Sequence, residues 1–123
     1  MSFAASDGVD FVLHTAITGL STRQNVIADN IANVDTPGFR ARSVEFESAL
    51  EKAIERGTAR TAGPGALAAT TEATNTPVGA NDNNVDLRKE SIAAVQTQYQ
   101  YQIMGRAISD RQSRLSAMIG GGA

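Results

Sequence analysis

Leu13, Ile17, Leu20, Gln24, Ile27, Ile31 and Val34 follow one another at alternating spacings of four and three. That is the period of a helix seam with one polar member, Gln24, and it predicts a long helix from Asp10 to about Asp35. Asp10 is placed to cap its start. Pro37 ends it, because proline lacks an amide hydrogen and pushes Thr36 out of the helical region. At ~1.5 Å per residue, such a helix reaches roughly 40 Å. Its apolar stripe is about one side chain wide, too narrow to form a core alone. The helix therefore needs a partner, either in a small bundle or along its whole length. Asp35-Thr36-Pro37-Gly38 follows as a turn. Proline presets the first central position and glycine permits positive φ at the second, which is type II chemistry, and Phe39 follows as an apolar anchor.

Farther along, Ser43 is placed to cap a short helix through about Arg56, in which Phe46, Leu50, Ala53 and Ile54 share a face. Glu45, Glu47 and Glu51 suit its N-terminal half, Arg56 suits its end, and Gly57 is a stop. From Thr58 to Asn84 the chain turns to Ala, Thr, Gly, Asn and Pro, with breakers at Gly63-Pro64-Gly65 and Thr76-Pro77. With Leu67 and Val78 as its only sizeable apolar residues, this stretch reads as a flexible linker, a short hairpin around Val78 being the alternative. A second seam starts after Asp86, the expected N-cap, and runs to about Ile119. Ala94, Tyr101, Ile108 and Leu115 recur every seven residues, with Thr97, Met104, Arg111 and Met118 between them. Ile92, Val95, Tyr99 and Ile103 widen the stripe enough for more than one neighbour, and Gly120-Gly121-Gly122 ends it.

The expected fold is all-α. Long N- and C-terminal helices form a coiled-coil-like hairpin or bundle, with a short middle helix and a flexible Ala/Gly/Thr/Pro-rich linker. Residues 1–40 hold the first helix and turn, 41–57 the short helix, 58–84 the linker, and 85–123 the last helix and its Gly-rich tail. Together they make one assembly domain.

Composition narrows the function. The 123 residues suffice for one domain, burying roughly two thirds of its unfolded surface. Aromatic residues make up 5%, too few for a large sandwich or barrel core. Eleven basic against thirteen acidic residues give a net charge of −2, which argues against a dedicated nucleic-acid binder. There is no Cys, which excludes disulfides, thiolate ligands and Cys nucleophiles, and there is a single His. The first ten residues carry no basic residue and no apolar core, so no cleavable leader is expected. No run approaches the ~20 apolar residues that span a bilayer.

No catalytic, cofactor or metal constellation emerges. His14 has no nucleophile near it in sequence. Glu45 and Glu47 point to different sides of a helix and read as solvated or arginine-paired. Asp82, Asn84 and Asp86 imitate the start of a calcium loop, but Leu87 stands where that loop needs Gly and Ala93 where it needs a bidentate Glu. Gly63-Pro64-Gly65 lacks the ending of a phosphate loop. Arg106, Arg111 and Arg114 form a modest basic patch of the kind found on solvated faces and interfaces.

The segment Asn25-Val26-Ile27-Ala28-Asp29-Asn30-Ile31-Ala32-Asn33-Val34-Asp35-Thr36-Pro37-Gly38-Phe39 is more specific. It resembles the N-terminal signature of the axial proteins of the bacterial flagellum, Asn-Ile-Ala-Asn followed after two residues by Thr-Pro-Gly-Phe/Tyr. Asn83-Asn84-Val85-Asp86-Leu87, Glu90 and the run Gln98-Tyr99-Gln100-Tyr101-Gln102 resemble the C-terminal end of that family's proximal rod subunits. Arg40-Ala41-Arg42 and Val44-Glu45-Phe46 resemble its continuation after the turn. The likeness covers roughly 11–56 and 83–118. Asp29, where Ser or Asn is usual, and the Gly-rich tail depart from it.

The resemblance implies a structural protein, not an enzyme. It would be exported by the flagellar type III apparatus without a cleaved leader and assembled helically into a tube crossing the periplasm. Its partners would be copies of itself, other rod subunits, the rod–ring adaptor, the membrane-embedded ring and the export gate. No cofactor, nucleic acid or membrane insertion is implied. Another short rod subunit, or a soluble helical adaptor or chaperone of the export system, is the alternative. The assembly interface expected on this reading comprises Leu13, Ile17, Leu20, Gln24, Ile27, Asn30, Ile31, Asn33 and Val34 on the first helix. On the last helix it comprises Ala94, Tyr101, Met104, Ile108 and Leu115. Small Ala28 and Ala32 allow close helix approach, Asn30 and Asn33 are available to hydrogen-bond between subunits, and Thr36, Pro37, Gly38 and Phe39 set the exit of the chain.

Overall fold

The computed structural model describes residues 3–57 and 69–120. Along the chain it holds α1 (Phe3–Ala32), β1 (Arg42–Glu45), α2 (Glu47–Glu55), β2 (Thr70–Ala73) and α3 (Leu87–Gly120). The fold is mostly helical, with the long first and last helices that the two seams predict. At ~1.5 Å per residue they reach roughly 45 and 50 Å. They pack against each other in antiparallel sense, as two cross-links show. Near the start of α1, Arg111 Nε donates to Asp10 Oδ1 at 2.6 Å. Farther along it, Gln24 and Gln98 share a side-chain hydrogen bond of 2.9 Å. Gln24 is thus the polar seam member because it meets another amide across the helix pair.

The core lies where the middle of α1 meets β1 and α2. Ala16, Leu20, Val44, Phe46 and Leu50 form it, with Phe11, Val12, Val26, Ala69 and Met104 packed against it. Phe46 occupies the position before α2, and its ring presses on α1 at Gly19. A Cβ at Gly19 would sit 2.5 Å from the ring, so only glycine fits here. Arg23, one turn on, lies over the same ring at 4.9 Å from its centroid, donates to the Val44 carbonyl at 2.9 Å and pairs with Glu47.

Several expectations need correction. The α1 helix starts at Phe3, so Asp10 is interior to it and its carboxylate meets Arg111 instead of capping. The chain is not all-α: β1 and β2 form an antiparallel pair from Arg42↔Ala73 to Glu45↔Thr70. Ser43 and Glu45 therefore lie in a strand, and α2 starts at Glu47. Leu50 and Ala53 are buried as expected, while Ile54 is exposed. The strand in the low-hydrophobicity stretch is Thr70–Ala73, not a hairpin around Val78. The part of that stretch from 58 to 68 lies outside the described residues, as do 121–123.

Other local readings hold. Phe39 N–H donates to Thr36 O at 3.2 Å across a Pro37-Gly38 corner with Gly38 at φ 77°, the turn its residues dictate. Gly57 has φ 68° after the last turn of α2. Asp86 caps α3, accepting from Lys89 N–H at 3.1 Å.

Candidate assembly surface

The 25–39 segment builds a polar clasp at the end of the helix pair where α1 leaves and α3 enters. Asn30 is fully buried and reads one residue of β1 at both backbone groups: its amide donates to Arg42 O at 2.7 Å and its carbonyl accepts from Arg42 N–H at 3.1 Å. Asn33 bonds to the Asp29 carbonyl at 2.8 Å, and Thr36 Oγ1 donates to Asn33 Oδ1 at 3.1 Å. From the other side, Asn83 donates to the carbonyls of Asn33 and Thr36, both at 2.8 Å, each of which also accepts a backbone N–H, from Thr36 and Phe39 respectively. The neighbouring Asn84 accepts from Ala41 N–H at 2.6 Å. Arg40 reaches Asp82 Oδ1 at 2.7 Å, and Arg42 reaches Asp29 at 3.0 Å. The side-chain amides of Asn30 and Asn33 thus find their bonds inside one chain, and Asn83 and Asn84 are equal members of the clasp. Their signal in the sequence is two adjacent amides before a capping Asp, which reads first as loop chemistry.

The other expected interface residues divide by depth. Leu20 and Ile27 are buried within the chain, and Leu13, Ile17, Gln24, Ile31, Val34, Ala94, Met104 and Ile108 are half-buried. Tyr101 and Leu115 stand at the margin of exposure. Pro37 and Gly38 are exposed at the tip and Phe39 is half-buried.

A second apolar surface lies on the opposite side of α3. Ile92, Val95, Tyr99 and Ile103 are 53–65% exposed and recur at helical spacing on the face turned away from α1. Shallow grooves run along it past Gln98, Gln102 and Arg106. Met118 and Ile119 are exposed at the end of the helix. A stripe of this length is what a monomeric soluble domain usually avoids.

Charged groups support the frame rather than a reaction. Partial burial works to raise the carboxyl of Glu47, but bonds from Arg23 and from the backbone N–H groups of Glu47 and Phe46 outweigh it and hold the carboxyl below its ordinary value. His14 is exposed on α1. Asp82, Asn84 and Asp86 are occupied by Arg40, Ala41 and Lys89 in turn. Among the described residues no three His, Asp or Glu side chains gather closely enough to hold a metal ion. Of the three C-terminal arginines, Arg111 is tied to Asp10, whereas Arg106 and Arg114 are exposed.

A family model described as flagella basal body rod protein matches residues 12–40, the segment that ends in the clasp and turn. The chain is 30% identical to the flagellar basal body rod protein FlgB of Bacillus subtilis over 118 residues, covering 89% of this chain and 92% of that one. It is 39% identical to FlgB of Yersinia enterocolitica over 71 residues, 58% of this chain and 50% of that one. With FlgB of Borreliella burgdorferi it shares 56% over 46 residues, 37% of this chain and 33% of that one. The chain thus spans a third to a half of the Borreliella and Yersinia relatives and nine-tenths of the Bacillus one.

Proposed function

The chain belongs to the FlgB family of flagellar basal body rod proteins, and from that premise we propose that it is a structural subunit of the proximal rod. In this role it assembles helically with copies of itself and other rod subunits into the shaft that transmits torque and encloses the export channel. The α1–α3 pair forms the inner coiled-coil layer. The rod–ring adaptor, the membrane-embedded ring and the export gate are its neighbours at the base. No helix among the described residues is long and apolar enough to cross a membrane. The chain reaches this place through the flagellar type III apparatus.

The observation that carries the reading is the outward stripe of α3. The helix pair buries Leu20 and Ile27 of α1, yet Ile92, Val95, Tyr99 and Ile103 remain open on the far side of α3. At about 25 cal/mol per Å², covering that stripe is a driving force for association that a single chain leaves unused. The test is mass spectrometry of detergent-extracted basal bodies from cells making this chain. The expected result is a few copies per particle alongside ring and rod proteins. Absence from intact particles, with the chain found free, would overturn the reading.

A further inference from the structure

Between α1, β1 and the first turns of α3 lies a half-open cleft of about 270 Å³. Its floor carries Glu90, a residue only 6% exposed. The carboxylate has no hydrogen bond or ion pair among the described residues, and its oxygens keep an opening to the cleft. An acidic group so enclosed is costly without a partner. The surrounding cations are directed elsewhere: Arg23 holds Glu47, Arg42 holds Asp29, and Lys89 turns to the Thr76 hydroxyl at 3.4 Å. Glu45, also on the wall, has no ion pair among the described residues either, so neither carboxylate of the cleft has a cation partner although Arg23, Arg42 and Lys89 line it. Its volume lies below the ~300–1,000 Å³ of small-molecule sites and suits one long side chain.

We propose that this cleft is a socket for Arg106 of an adjacent copy of the chain, whose guanidinium completes Glu90. The inference rests on the rod-subunit reading. Arg106 ends the exposed stripe and lines a groove with Tyr99, Gln102 and Ile103, so a neighbour that covers the stripe also meets this arginine. Within one chain the two groups cannot meet, because 16 residues of helix separate them by roughly 24 Å. Socket and plug occupy different faces of α3, and such a head-to-tail contact continues as a helix of subunits instead of closing into a pair. A guanidinium suits the site because its planar donors can serve the carboxylate and a neighbouring oxygen together.

The test uses the full chain in flagellated cells, counting its copies in purified basal bodies, with thermal melting of each purified variant as the folding control. Glu90→Gln should melt like the wild type and lose about tenfold or more in incorporation, and Glu90→Arg should lose more. Adding Arg106→Glu to Glu90→Arg should restore incorporation, whereas Arg114→Glu should not. Undiminished incorporation of Glu90→Arg overturns the socket. Rescue by neither reversal, or by Arg114→Glu, overturns the choice of Arg106. A Glu90→Gln chain that melts early makes Glu90 a folding residue and also overturns the proposal. If the wild-type chain is itself absent from the particles, the rod reading fails with it; if the wild type is present, the failure belongs to the socket alone.

Discussion

Asn30 and Gly19 show how single positions hold this fold. Asn30→Ala leaves the N–H and carbonyl of Arg42 without partners in a part-buried setting, where each unsatisfied group costs up to about 1–3 kcal/mol. A loss of about 2–4 kcal/mol is therefore expected in urea unfolding, a large share of a small domain's stability. Gly19→Ala forces its new methyl into the Phe46 ring and should cost about 1–3 kcal/mol. Replacing Phe46 with Leu in the same chain should recover part of that loss, and a purely additive double variant would sink the steric account. Neither role was legible from spacing. Asn30 read as a helix-surface amide available to a neighbour, because the strand that it serves carries too few apolar residues to announce itself. Gly19 carries no signal in the sequence, since a close approach shows only when the approaching ring is placed. The Pro37-Gly38 turn, by contrast, was readable because its φ values are dictated by the residues themselves.

At the level of elements, both long helices could be read from their period, while the short pieces between them could not. Thr70–Ala73 is exposed at every position, so no alternation marks it as a strand; it is held by pairing with β1 rather than by burial. Ser43 and Glu45 offered good helix-start chemistry, but the bonds that Asn30 and Arg23 make to the backbone at Arg42 and Val44 favour the extended form. The junction of β1 with α2 also has a pH signature. The Glu47 carboxyl is held below its ordinary value of 4.5 by Arg23 and the local backbone N–H groups, despite the opposing effect of burial. A depressed carboxyl stabilises the fold above its unfolded value and loses that contribution as pH falls through the folded one. Glu47→Gln should therefore be less stable than wild type at pH 7, with the gap closing below about pH 4.5. A gap that stays constant from pH 7 to pH 3 would show that the pair carries no linked proton.

On the scale of the whole molecule, the same heptad logic serves two surfaces that mutations can separate. The inner one, with Leu20 and Ile27, is buried in the single chain. The outer one, with Tyr99 and Ile103, is covered by nothing in it. Leu20→Asp or Ile27→Asp places a lone charge in the core and should cost more than about 4 kcal/mol, so such a chain fails before any partner is met. Tyr99→Asp and Ile103→Asp sit in solvent and should keep the monomer within about 0.5 kcal/mol of wild type. If association is driven from the outer stripe, these two variants should melt normally and yet leave the cells non-motile with depleted basal bodies. Motile cells carrying Tyr99→Asp and Ile103→Asp together would mean that the stripe faces solvent in the assembly as well. Which seam is internal is a question of pairing in space, and a period of seven gives both seams the same form.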